Sequence, residues 1–295
     1  MTIAVRSLES IEDLRSAVTL QQRILGENGH GIWQLPHLTA VQQSGGLLLG
    51  ALTPTHPSTD SLDAILIDLL STVDGYSACR TVAWAVRPQQ RNKGIGTKLR
   101  LIERKALQQG AVDLVHWDAD PLNSIDIYVA LNKLGGILTG YRCDTLGSAR
   151  DARAPGIATD RVRVEWWIDS PRVISILDQG NPPPHHHIGL NDMAVLTKTT
   201  LLPTGVRGII EQEQSITAKH VLVEIPEDLD HIQVRDHDAA IQWRVQSRRF
   251  MDQLFESGYL GVGLIHEGGR SFLLFKKGSR RTELGAADTR QQRRL

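Results

Sequence analysis

Two cysteines in 295 residues, Cys79 and Cys143, are too few for a disulfide framework or a zinc ribbon, and they point to a reducing compartment. Charge of one sign is also missing. Lys+Arg and Asp+Glu each number 33, so the chain has no global basic field to gather nucleic acid or an anionic membrane surface. Nor is there a long hydrophobic run: nothing approaches the roughly 18 uninterrupted apolar residues of a membrane span. The first residues meet Glu9 and Glu12 before any apolar stretch, unlike a signal peptide. What is present is 41% hydrophobic and 22% charged residues, enough apolar surface for a sizeable core. At about 150 residues per domain, the length suggests two domains or one enlarged one. The expectation is a cytoplasmic globular protein that binds neither nucleic acid nor membrane.

Periodicity predicts a β-then-α opening. A strand fits residues 3–5, Ser10 is a plausible N-cap with Glu12 and Asp13 in the first turn, and Leu14, Val18, Ile24 and Leu25 recur at helical spacing. A short helix at 38–43, an apolar run at 47–49, a segment near 62–70 that reads as a strand or a buried helical turn, and a strand near 80–86 follow, with a turn-like stretch at 71–77. Two β-loop-α units come next: strand 81–86, polar loop 87–93 and a helix opening at Gly94-Ile95-Gly96, then strand 114–117, loop 118–121 and helix 125–134 closed by Gly135-Gly136. Strands at 137–141 and 162–168 complete the set. Alternation of this kind means an α/β domain.

Three prolines and three histidines make residues 178–190 the expected linker. It separates a first domain, 1–177, from a smaller α/β region, 191–277, and an Arg- and Gln-rich tail, 278–295, expected to be disordered. The smaller region reads as strands near 194–200, 206–212 and 220–225, a helix at 239–256 and a hairpin joining 259–265 to 271–275. Its order of elements echoes residues 114–168, which leaves open a partial repeat. Adjacent His185, His186 and His187 cannot readily converge on one ion, so no metal is expected.

The segment with the most chemistry is Arg91-Asn92-Lys93-Gly94-Ile95-Gly96, between a strand and a helix. The first turn of a helix has unpaired N–H groups and a partial positive charge, and a pyrophosphate would fit there. Neither the Walker A spacing nor the third glycine of the dinucleotide fingerprint is present, so nucleotide hydrolysis and nicotinamide binding lose ground. The spacing of Val86, Pro88, Arg91, Gly94, Gly96 and Leu99 resembles the acyl-CoA-binding motif of the GNAT superfamily of N-acyltransferases. Similarity extends to Trp117-Asp118-Ala119-Asp120-Pro121-Leu122, Leu131-Asn132-Lys133-Leu134-Gly135 and Thr159-Asp160-Arg161-Val162-Arg163-Val164-Glu165-Trp166. It reaches Val223-Glu224-Ile225-Pro226 and Trp243-Arg244 in the second region. These runs resemble a bacterial GNAT branch with a C-terminal extension.

The resemblance implies a mixed, mostly antiparallel sheet flanked by helices. It also implies acetyl-CoA or another acyl-CoA as co-substrate and an amine of a small molecule or peptide as acceptor. The backbone of Ala85, Val86 and Arg87 would pair with the pantetheine arm, and Arg91, Asn92, Lys93, Gly94, Ile95, Gly96 and Thr97 would hold the pyrophosphate. A homodimer is left open. Departures from the family pattern are equally specific. Leu131 stands where many members carry an acidic tyrosine, strand 81–86 lacks the glutamate that often serves as base, and Asp126 replaces an expected asparagine. Tyr128, one turn earlier, reads either as the substitute acid or as packed core with its hydroxyl at the rim, and His116, Asp118 and Asp120 are the base candidates. Asp120 reads equally as the cap of a helix starting at Pro121.

Asp160-Arg161 with Glu165 reads either as a polar-substrate site or as a structural ion pair. The face formed by Trp243, Arg244, Arg248 and Arg249 reads either as a solvated helix surface or as an acceptor contact. A GNAT-like protein that binds acyl-CoA without turnover is the alternative to an acyltransferase.

Overall fold

A computed structural model describes residues 3–26, 31–53, 62–145, 147, 157–183, 193–210 and 216–285. The chain divides into two compact units, Met1–Trp117 and Asp118–Leu295. The first contains β1 (Ala4–Ser7), α1 (Ile11–Leu25), α2 (Leu35–Gln43), β2 (Leu47–Leu52), β3 (Ala64–Val73), β4 (Tyr76–Val86), α3 (Ile95–Gln109) and the start of β5 (Leu114–Ala119). Its strands lie in the order β1-β2-β3-β4-β5, antiparallel except for the parallel β4–β5 pair.

Local sequence explains these elements. Ser10 and Asp13 form a reciprocal capping box that starts α1. The inward face of that helix, Leu14, Ala17 and Leu20, packs with Leu38 and Val41 of α2 against Ile65 and Ile67 of β3. On the other side of the sheet, Ile95 and Leu99 of α3 pack on Leu49, Ala51 and Leu66. Helices therefore cover both faces, and β3 begins as the uninterrupted apolar run Ala64-Ile65-Leu66-Ile67, buried throughout. The turn expected over 71–77 contracts to Asp74-Gly75, because both residues take positive φ, 51° and 81°, and a two-residue turn of that twist lets β3 and β4 pair up to Val73↔Tyr76.

The second unit continues with α4 (Ser124–Tyr128), which runs into a π-helical turn at Val129–Lys133. Then follow β6 (Ile137–Arg142), β7 (Arg161–Trp167), α5 (Pro171–Leu177), β8 (Ala194–Val195), β9 (Lys198–Leu201), β10 (Arg207–Ile210), β11 (His220–Ile225), α6 (Leu229–Arg235), α7 (His237–Glu256), β12 (Tyr259–Glu267), β13 (Arg270–Lys277) and α8 (Arg280–Leu284). The sheet order is β7-β6-β12-β13-β11-β8, antiparallel except for β11–β8, with β9–β10 as a separate hairpin. Each unit is thus α/β with a mostly antiparallel sheet flanked by helices. The β6–β7 ladder breaks register between Leu138 and Gly140, and the β12–β13 ladder between Gly261 and Gly263; β6 and β12 meet at Leu138↔Gly261.

The division into units falls inside β5, whereas the sequence places a boundary at 178–190; residues 184–190, with the three histidines, lie outside the described residues. Part of the expected tail is ordered. Ser279 caps α8, Leu284 is buried beside Ile137 and Leu222, and Lys276 pairs with Glu283 at 2.6 Å. One apolar residue in a five-residue helix leaves no periodicity to read. No described helix is long and apolar enough to cross a membrane.

A charged cluster lies inside the first unit. Arg100 of α3 is fully buried, its guanidinium carbon 4.4 Å from the Trp84 ring centre and 4.1 Å from that of Trp117. Its Nη1 donates to Thr81 Oγ1 at 2.8 Å and to both Glu103 oxygens at 3.0 and 2.9 Å. Buried Asp68 faces the same group. Two carboxyls therefore share one guanidinium. Burial pushes Glu103 well above the usual carboxylate range, with Arg100 opposing the shift and Asp68 adding to it. A proton held in the folded state and lost in the unfolded one makes stability fall as pH rises from about 4.3, the unfolded value, towards the raised one. Glu103→Gln is expected to gain stability relative to the parent across that rise, read as denaturant midpoints at stepped pH. A gap that narrows with pH would mean that Glu103 is ionised in the fold.

Candidate functional site

The site begins where β4 runs out of partners. Parallel pairing with β5 covers only Ala78↔Leu114, Cys79↔Val115 and Arg80↔His116, while β4 continues to Val86. Arg87 N–H donates to Asp63 O at 2.8 Å, on the β3 side. By strand alternation Ala85, paired with Ile65, points its backbone groups the same way, and Val86 points them to the open edge. The Val86 carbonyl there accepts Arg91 Nε at 3.2 Å. Of the expected trio, Val86 presents its backbone to that edge. The Arg87 side chain is likewise turned away, with Nη2 donating to Leu62 O at 2.8 Å.

Pro88 opens a single 3₁₀ turn that leads into the loop, and Asn92 takes φ 61°. Gly94 is the N-cap of α3 at φ 78°, a conformation that costs an L-residue about 1–2 kcal/mol. A Cβ built on Gly94 would meet nothing within 4 Å, so the space above it is open. No side chain caps α3 and no acid sits in its first turn, which leaves the amides around Ile95, Gly96 and Thr97 available to an anion. Lys93 donates to Gln89 O at 2.8 Å and Gln90 Oε1 at 2.9 Å, while Arg91 is exposed. Gly96 has a different reason to be small. A Cβ there would stand 3.1 Å from the Trp84 ring, so this glycine serves packing beside the Arg100 cluster.

Among the proton-transfer candidates, His116 is buried on β5 with Nε2 3.3 Å from Ser71 Oγ. In the second unit Asp118 is ion-paired with Arg142. Asp120 receives both Arg244 Nη atoms at 2.8 Å, and its Oδ1 also accepts Leu122 N–H at 2.9 Å. The following helix starts at Ser124, where Asn123 is the cap, so Asp120 holds the turn before it. Tyr128 ends α4 38% exposed, and no hydrogen bond engages its hydroxyl among the described residues; Lys133 Nζ lies 5.7 Å from its ring centre. Leu131 is fully buried. No group of three metal-ligating side chains occurs among the described residues.

α7 resolves two open readings. Arg248 donates to both Asp160 oxygens at 2.9 and 2.8 Å, and Tyr141 Oη and Asp144 N–H donate to the same carboxylate at 2.6 and 2.9 Å. Burial, and then the bond to Asp160, push the Tyr141 phenol far above its ordinary value. Glu165 is held by Arg280, Thr139 and Trp167. Asp160 and Glu165 are centres of ion pairs, and Arg248 and Arg244 anchor Asp160 and Asp120 rather than forming a solvated face. Trp243 is buried, with its indole N–H donating to Arg207 O at 2.8 Å. The spacing of Arg244 and Arg248 by one helical turn was the available signal for such a seam.

Arg244→Ala removes the bidentate partner of a carboxylate that keeps, among cations of the described residues, only Arg161, at 3.8 Å, and is expected to cost about 2 kcal/mol, whereas Gln242→Ala on the exposed side of α7 stays within about 0.5 kcal/mol. Urea midpoints check this. Equal midpoints for the two variants would show that Asp120 is held by solvent instead.

No family model and no curated protein matches the chain. Solved structures similar to it include the ribosomal-protein-S18-alanine N-acetyltransferase from Escherichia coli, 18% identical, covering 57% of this chain and 94% of that one at a TM-score of 0.43. The ribosomal-protein-alanine N-acetyltransferase from Brucella melitensis is 15% identical, covering 55% and 98% at 0.43. An acetyltransferase of the GNAT family from Streptococcus pneumoniae is 11% identical, covering 56% and 98% at 0.44.

Proposed function

We propose that the protein is an acyl-CoA-dependent N-acyltransferase, using acetyl-CoA on an amine of a small molecule or peptide. The observation that carries this reading is the unpaired Val86 edge of β4 leading into the uncapped N-terminus of α3. Val86 N–H adds to the pantetheine amides as a strand edge adds to a peptide, and a strand N–H near it polarises the thioester carbonyl. The amides at Gly94, Ile95, Gly96 and Thr97, with Arg91 beside them, hold the pyrophosphate. The open space above Gly94 and the absence of an acid in the first turn of α3 fit that group.

In the reaction the acceptor nitrogen bonds to the acyl carbon as the carbon–sulfur bond breaks. An ammonium acceptor and the thioester give the amide, the thiol and one released proton. Tyr128 is assigned the proton that goes to sulfur. With His116 buried and Asp118 and Asp120 ion-paired, the ammonium loses its first proton to solvent, and positioning supplies most of the acceleration.

Calorimetry with CoA and thiol release from acetyl-CoA over a panel of amines test this. Gly94→Val is expected to weaken CoA at least tenfold. Tyr128→Phe should lower kcat by about 10² and leave CoA affinity unchanged. A parent protein that does not bind CoA would end the proposal. CoA binding with no thiol release across the panel would leave an acyl-CoA-binding protein without turnover.

A further inference from the structure

The second unit encloses a cavity of ≈ 780 Å³, the size of a site for a small organic molecule. Ser124, Ile125 and Tyr128 of α4 line one wall. Ile225, Ile232 and Leu264 make a buried apolar floor, while Ile125 is 58% exposed at the mouth. Exposed apolar side chains beside a buried apolar floor mark a surface that lacks its occupant.

The charged lining separates into committed and uncommitted groups. Glu224 is closed by Arg270, Nε to Oε1 at 2.9 Å and Nη2 to Oε2 at 2.5 Å, with Thr199 Oγ1 donating at 2.8 Å. Asp228 accepts His231 N–H at 2.9 Å as the cap of α6. Arg207 donates to Thr199 Oγ1 at 3.1 Å and has no carboxylate partner among the described residues. Glu227 uses its carbonyl, which accepts Ser124 Oγ at 2.8 Å, and its carboxylate has no partner among the described residues. Among the described lining residues, Arg207 is a cation without a carboxylate partner, Glu227 and Asp228 are carboxylates without a cation, and the floor is apolar. That set suits neither a polyphosphate, which needs several cations, nor a neutral lipid, which needs no charge.

We propose that this cavity is the acceptor site and takes an amino acid or short peptide with both ends free and an apolar side chain, its carboxylate on Arg207 and its ammonium on Glu227. The assignment rests on the acyltransferase reading, which needs an amine acceptor; Tyr128, the acid assigned in that reading, lines this cavity. Charge-assisted hydrogen bonds at both ends would give the selectivity.

Calorimetry on the full chain without CoA, using leucine, leucyl-leucine, leucyl-leucine amide and N-acetyl-leucyl-leucine, tests it. A zwitterion is expected to bind at least tenfold more tightly than its amide or its N-acetyl derivative. Arg207→Gln should erase the preference for a free carboxylate and keep that for a free ammonium, and Glu227→Gln should do the reverse. Both variants should bind CoA as the parent does. No binding of either zwitterion, or a carboxylate preference that survives Arg207→Gln, would overturn the proposal. Zwitterion binding by a protein that fails to bind CoA would retain the cavity assignment as a ligand site and sink its role as acceptor site along with the acyltransferase reading. CoA binding without zwitterion binding would remove the cavity assignment alone.

Discussion

A guanidinium occupies the place where the parallel strands β4 and β5 stop pairing. Arg100 lies between the rings of Trp84 on β4 and Trp117 on β5, with the two rings edge to face at 6.4 Å between centres. Two cation–π contacts in a desolvated setting contribute on the order of 2 kcal/mol each, enough to favour the wedge over three or four more ladder hydrogen bonds. The same wedge crowds Gly96, where a Cβ would stand 3.1 Å from the Trp84 ring and the ring would have to shift by a few tenths of an ångström. The charge of Arg100 faces Glu103 and Asp68, and burial first, with the repulsion of Asp68 adding to it at Glu103, raises the proton affinity of both carboxyls.

The second unit answers to a different seam. α7 sends Arg244 to Asp120 and Arg248 to Asp160 one turn apart, so a single helix fixes both the turn before α4 and the start of β7. The seam thus engages Asp120, one of the base candidates in the sequence, in a bidentate pair. Cys79 is buried, and burial pushes its thiol up to about 12.

Elements that depend on their own sequence were legible in advance. The Ser10–Asp13 capping box, the glycine-opened α3 and the hairpin of β12 and β13 follow from local spacing. What stayed hidden depends on contacts remote in the chain. Arg244 and Asp120 are 124 residues apart, and no periodicity links them. The direction of the Arg87 side chain, the packing reason for Gly96 and the helix at Arg280–Leu284 were hidden for the same reason. The Val86 edge was half legible: the sequence located the strand, and only register decided which of three neighbouring residues turns its amide outward.

Register also decides which α4 side chain can act. At Val129–Lys133 the helix widens to a π turn, with Leu134 N–H donating to Val129 O at 3.0 Å. One inserted residue rotates everything after it by about 100° relative to an unbroken α-helix. Leu131 accordingly faces the core, and Asn132 is turned onto β12, donating to Leu264 O and accepting Leu264 N–H, both at 2.9 Å. A tyrosine at Leu131 would be buried away from any substrate. Ser124, the other hydroxyl on this helix, is bonded to Glu227 O. Tyr128, just ahead of the widened turn, keeps the α-helical phase and lines the cavity, with a hydroxyl that no hydrogen bond engages among the described residues.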